Sequence, residues 1–113
     1  MRILICLKQV PDTTEVKLTD DLTLEREFVA QVLNPADESA LELGLELKEK
    51  HGGTVTVLTM GPKRAEGMLR EALSRGADEA VLMTSPRFAG ADTLVTAHCL
   101  AQAVKALGGF DLI

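Results

Sequence analysis

Arg2-Ile3-Leu4-Ile5-Cys6-Leu7, running into Lys8-Gln9-Val10-Pro11-Asp12, is the stretch that decides the fold. An unbroken apolar run of this length reads as a strand buried on both faces, the habit of a parallel sheet. A strand of that kind delivers its ligand loop at its carboxyl end. Between Lys8 and Asp12 that loop holds no glycine. The backbone therefore cannot wrap a pyrophosphate in the manner of a Rossmann or P-loop turn, and any nucleotide has to be held by a different loop geometry.

Three further apolar runs, Thr54–Thr59, Ala80–Met83 and Phe110–Ile113, are expected strands with the same Val, Ile and Leu density. Helical patterns separate them. Pro35–Lys50 begins with Asn34 as N-cap, Pro35 at the first helical position and Asp37 and Glu38 in the first turn, and stops at Gly52-Gly53. Ala36, Ala40, Leu43 and Leu47 are its expected apolar stripe. A second helix, about Pro62–Arg75, carries Ala65, Met68, Leu69, Ala72 and Leu73 on one face and ends at Gly76. The third, about Asp92–Leu107, places Leu94, Ala97, Ala101 and Val104 on one stripe before Gly108-Gly109. The order β-α-β-α-β-α-β implies an α/β fold: an open parallel sheet, doubly wound, with right-handed crossovers and helices on both faces.

Residues Thr13–Val32 break this rhythm, being too long for a simple strand-to-helix link. Their irregular apolar spacing suits a hairpin-like insertion turning around Thr19-Asp20-Asp21. Such an insertion serves either as a lid or partner surface or as a solvated cap on the core, and both readings stand. Phe110-Asp111-Leu112-Ile113 looks like the opening of a buried strand, so the 113 residues are expected to be the amino-terminal part of a single nucleotide-binding domain, cut in or after its fourth strand.

Composition narrows the function classes. At 113 residues the chain is one domain, with 46% hydrophobic and 26% charged residues. A net charge of −5 argues against a nucleic-acid partner. No run approaches the roughly 18 apolar residues of a membrane span. Cys6 and Cys99 read as small buried hydrophobes, not a disulfide, which fits a reducing compartment with the cytoplasm as the expected one. There is no Trp or Tyr and only three Phe, so a bound planar group would meet aliphatic side chains and backbone.

Asn34-Pro35-Ala36-Asp37 is the strongest local site candidate, because a helix N-terminus offers free N–H groups where strand ends converge. Plain capping is the simpler role. Thr59-Met60-Gly61-Pro62 and Arg87–Thr93, with Asp92 as N-cap, are ordinary strand-to-helix turns on their own. His98-Cys99 sits inside a helical pattern without a second ligand pair at zinc spacing, and His51 closes the first helix. Asp12 would need a second Asp after the third strand to form an acidic pocket, where Thr84-Ser85-Pro86 stands. No catalytic constellation and no metal set emerge, so the chain is not expected to be an enzyme.

Taken in order, several segments carry a resemblance. They are Ile3–Asp12 ending Leu-Lys-Gln-Val-Pro-Asp, Val32–Asp37 with its Asn-Pro, and Leu45–Gly53. Met60-Gly61-Pro62, Arg70–Ala80, Phe88–Thr93 and Phe110–Ile113 follow. The chain is similar to the β subunit of electron transfer flavoproteins. The resemblance implies the adenine nucleotide alpha hydrolase-like version of the doubly wound fold and a heterodimer with a larger α subunit. It implies an electron carrier between flavin dehydrogenases, such as acyl-CoA dehydrogenases, and a quinone reductase or other acceptor. It also implies a redox FAD mainly on the α subunit and a structural AMP on this one, replaced by a second FAD in electron-bifurcating relatives. Carried over by position, the adenosine pocket would use the backbone at Cys6, the turn Asn34, Pro35, Ala36 and Asp37, and Met60. The family's phosphate-gripping loop falls after the fourth strand, beyond Ile113, so weak or no AMP binding is expected of these 113 residues alone.

Two other classes compete. An ATP- or AMP-binding regulatory module of the universal-stress type shares this topology, and a Gly-rich phosphate motif late in the domain would mark it. An adenylating enzyme would show a Ser-rich loop after the first strand, where this chain has Lys8-Gln9-Val10-Pro11.

Overall fold

The computed structural model describes residues 1–11, 31–84 and 93–113. Its main sheet joins β1 (Arg2–Cys6), β4 (Thr54–Met60) and β5 (Glu79–Met83), in that spatial order and all parallel. Between β1 and β4 in sequence come two short strands, β2 (Gln9–Pro11) and β3 (Gln31–Leu33), which pair antiparallel, with Pro11 opposite Gln31. The hairpin turn expected around Thr19-Asp20-Asp21 lies outside the described residues. So do Asp12, Asp92 and the expected Arg87–Ala91 turn.

The register sets Ile3 beside Val55 and Ile5 beside Val57 on one face of the sheet. α1 (Pro35–His51) and α2 (Glu66–Arg75) cover that face, packing Leu41, Met68, Leu69 and Ala72 into one core with these strand residues and Leu33. A single turn of 3-10 helix, Lys63–Ala65, precedes α2, so the helical stretch expected from Pro62 is real but starts tightly wound. Leu4 and Leu58 on the opposite face are buried as well, which accounts for strands that are apolar on successive residues.

After β5 the chain returns through α3 (Thr93–Leu107) to the far side of β1, where Leu112 bridges Ile3 in parallel. The expected fourth strand over Phe110–Ile113 is reduced to this bridge. The reversal, with Leu112 on the side of β1 away from β4, makes the sheet doubly wound. Arg2 fixes the junction. Its guanidinium donates to the carbonyls of Gly108 and Gly109 at the end of α3 and lies 4.8 Å from the Phe110 ring centroid. Its amide donates to Asp111 Oδ2 at 2.6 Å.

Two helix faces differ from expectation. In α1 the buried positions are Leu41 and Gly44, while Leu43 is 55% exposed and Ala36 and Ala40 are exposed. The helix is apolar over a wider arc than the sheet edge covers, so α1 sits with Leu41 and Gly44 toward β1 and β4. Ala40, Leu43 and Leu47 are left lining an apolar groove of about 350 Å³ beside Ile3, Ile5 and Leu112. In α3, Leu94 is 79% exposed and Ala97 and Ala101 are exposed; the half-buried line is Thr96, Cys99, Leu100, Ala103, Val104 and Leu107. That line also has helical spacing, and apolar periodicity alone does not choose between two stripes on a helix rich in alanine. Leu73 of α2, expected in the core, is 40% exposed.

Asp78 ties the opposite, amino edge of the sheet together. Its Oδ2 accepts the Val55 N–H at 2.8 Å and its Oδ1 the Lys48 ammonium at 2.9 Å. The amide hydrogen bond first, and Lys48 second, hold its carboxyl below the usual aspartate range.

Candidate functional site

The carboxyl edge of the sheet is where the reversal opens a crevice, with β4 on one side of β1 and Leu112 on the other. Backbone alternation decides what β1 presents there. The Leu7 N–H donates to the Leu58 carbonyl at 2.8 Å, so residues of this parity turn toward β4. The Leu4 N–H donates to the Leu112 carbonyl at 2.9 Å, so the other parity turns the opposite way. Cys6 shares the parity of Leu4. Its main-chain N–H and C=O therefore face the Leu112 side of β1, at the carboxyl end of the strand.

Immediately after Cys6 the backbone is saturated. Leu7 N–H binds Leu58 O and Leu7 O accepts the Thr59 hydroxyl at 2.6 Å; Lys8 N–H binds Asp37 Oδ2 at 2.7 Å and Lys8 O accepts the Asn34 N–H at 3.0 Å. The exit of β1 is thus held from β4 on one side and from the start of α1 on the other. This brings Cys6 together with Asn34 and Asp37. Met60 ends β4, beyond the Leu58 that pairs with Cys6, and its strand partner is Met83. Pro35 and Ala36 lie exposed on the first turn of α1.

The two polar side chains of the turn are already engaged. Asn34 Oδ1 accepts the Ala36 N–H at 3.1 Å and Asn34 O accepts the Glu38 N–H at 3.0 Å, which is a helix N-cap as the sequence suggested. Asp37 spends one oxygen on Lys8 and keeps lone pairs for another donor. Cys6 is half-buried and unbridged; burial raises its thiol pKa, and the nearby Asp37 carboxylate raises it further. Cys99 is likewise half-buried, not fully buried as expected.

A carboxylate beside the first turn of α1 opposes the positive end of the helix dipole, so this helix start is unsuited to a phosphate. Among the described residues, the crevice presents the Cys6 main-chain N–H and C=O beside an Asp37 oxygen. That set suits a neutral planar heterocycle and a sugar hydroxyl. Among the described residues no group of three His, Cys, Asp or Glu could hold a metal ion, and no helix is long and apolar enough to cross a membrane.

From the sequence, Leu7 and Lys8 read only as the end and exit of the first strand, and Thr59 only as part of an ordinary strand-to-helix turn. Threonine recurs in β4 as Thr54, Thr56 and Thr59, so the hydroxyl of Thr59 gives no signal of its own. Its partner, a carbonyl on another strand, leaves no mark in the sequence.

Comparison with known proteins places these features in context. Residues 21–113 match the model of the electron transfer flavoprotein domain. The chain is 53% identical to the electron transfer flavoprotein subunit beta of Clostridium acetobutylicum, over all of this chain and 44% of that protein. It is 50% identical to Protein FixA of Azorhizobium caulinodans, over 96% of this chain and 39% of that protein. It is also 50% identical to the caffeyl-CoA reductase-Etf complex subunit CarD of Acetobacterium woodii, over all of this chain and 44% of that one. The chain spans less than half the length of these curated relatives.

Proposed function

Since the chain belongs to the electron transfer flavoprotein domain family, we propose that it works within the β subunit of a heterodimeric electron transfer flavoprotein. There it carries no catalytic group of its own. Its partner is the larger α subunit, which holds most of the redox FAD, and the pair passes electrons from flavin dehydrogenases, acyl-CoA dehydrogenases among them, to a quinone reductase or another acceptor. In this chain the crevice beside β1 holds the adenosine portion of a structural AMP.

One observation carries the reading: the outward-facing Cys6 main chain at the point where the sheet reverses direction. An N–H donor next to a C=O acceptor complements the ring N1 and the 6-amino group of adenine. Asp37, with lone pairs to spare, suits a ribose hydroxyl, and the Asn34–Asp37 turn and Met60 flank the crevice. Adenosine monophosphate is also the terminal portion of FAD, so the same pocket serves a second FAD. Among the relatives, one is named an acryloyl-CoA reductase electron transfer subunit and another a caffeyl-CoA reductase-Etf complex subunit.

The test is to purify the full-length subunit with its α partner, release the bound nucleotides by denaturation and identify them by chromatography, alongside a visible spectrum. About one equivalent each of AMP and flavin supports the structural-AMP reading. Two flavins and no AMP select the second reading, and a single flavin with no AMP overturns both.

A further inference from the structure

We infer that the apolar groove beside α1 is the seat of a helix from the part of the full-length subunit that follows Ile113, packed along α1. Leu43 and Leu47 of α1 line one side of the groove, Ile3 and Ile5 its floor, and Leu112 and Ile113 the other side. Ile3 and Ile5 belong to the main core and Leu47 packs against it, so the groove opens directly onto that core. Its rim is bare by contrast: Leu43 is 55% exposed, Leu112 43% and Ile113 68%. A contiguous apolar surface of this kind marks a place that another element covers.

The layer structure says what kind of element fits. On the covered face α1 packs against β1 and β4, and α2 against β4 and β5. The sheet continues past β1 to the Leu112 bridge, but among the described residues the helix layer on this face stops at α1. A sheet face of an α/β domain is closed by further helices in the same layer. α1 offers the matching seam, since Ala36, Ala40, Leu43 and Leu47 follow a 4-3-4 step on the side turned away from Leu41. The small Ala36 and Ala40 let a neighbouring helix approach closely at one end of it.

Two observations favour the subunit's own chain as occupant. More than half of each curated relative lies outside the part matched here, so a longer subunit supplies the residues. Leu112 and Ile113 also line the groove, and a chain running on from Ile113 departs from the groove's own side. A separately folded partner would instead leave this opening onto the core bare in the free subunit.

The test uses the full-length subunit in complex with its α partner. Leu43→Cys is expected to react with a maleimide about tenfold more slowly than Glu49→Cys, an exposed position on the same helix, the labelled site being located by mass spectrometry. Rates within about threefold of each other would show an open groove and overturn the inference. A benzophenone maleimide on Glu46→Cys, exposed beside Leu47 and one turn from Leu43, is then irradiated and its cross-link mapped. The expected product is a single chain joined to one peptide beyond Ile113. A cross-link to the α partner, to a second copy, or to any of the first 113 residues outside α1 overturns the inference. Where Leu43→Cys does not fold, Ala40→Cys gives the same comparison. None of these outcomes depends on which nucleotide is bound, so the reading above stands or falls separately.

Discussion

Gly44 lies in the middle of α1, where alanine is ordinarily better by about 1 kcal/mol because glycine loses more backbone entropy on entering a helix. Here the gain is opposed by contact. A Cβ built on Gly44 would stand 3.3 Å from Ile5 Cγ1 and 3.7 Å from Ile3 Cγ2, and would overlap Ile5 Cδ1. Relieving that overlap means driving Cδ1 out by a χ2 rotation toward the open groove that Ile5 and Gly44 both line. Overpacking of this kind costs about 1–3 kcal/mol, so with the helix gain subtracted Gly44→Ala is expected to destabilise by about 1 kcal/mol. Ile5→Val, which deletes Cδ1 alone, is expected to cost about 1 kcal/mol by itself. Combined, the overlap disappears while the helix gain stays, so the double variant should lie within about 0.5 kcal/mol of wild type. The expected coupling is therefore about 2 kcal/mol, well above the additivity error of distant sites. Chemical denaturation of the four proteins, followed by far-ultraviolet circular dichroism, measures it. Additive effects within about 0.5 kcal/mol would show that Gly44 is not required for the approach of α1 to β1.

Three further outcomes follow from the described contacts. Arg2→Met removes the cation that caps the end of α3 and stacks on Phe110; it should cost about 1 kcal/mol and speed amide exchange at Asp111 and Leu112, and unchanged exchange would refute the role. Asp78 has a folded pKa below its unfolded one, so its contribution is present above about pH 4 and lost as pH falls through the folded value. Asp78→Asn should therefore lower Tm by about 4 °C at neutral pH, with the gap closing in acid, whereas a gap independent of pH would contradict this. Asp37→Asn removes the charge that helps raise the Cys6 thiol pKa, so alkylation of Cys6 by iodoacetamide, followed by mass spectrometry, should become several-fold faster at mildly alkaline pH.

Much of the architecture was legible in the chain because its signals are local. The β1 and β4 apolar runs, the Asn34-Pro35 start of α1, the Gly52-Gly53 stop and the Met68-Leu69-Ala72 face of α2 each depend on residues a few positions apart, where propensity, capping and periodicity act directly. The stripes of α1 and α3 were misjudged because each helix carries more than one apolar line, and which line is covered depends on how far the sheet extends beneath it. The same limit applied to the candidate site. Cys6, Asn34, Asp37 and Met60 could be named from their positions at element ends. The pairing of Leu7 with Thr59, the grip of Asp37 on Lys8 and the direction of the Cys6 carbonyl arise only when separate strands and a helix meet. Hydrogen bonds between segments far apart in the chain depend on register and crossover geometry, and neither is encoded in any single stretch of residues.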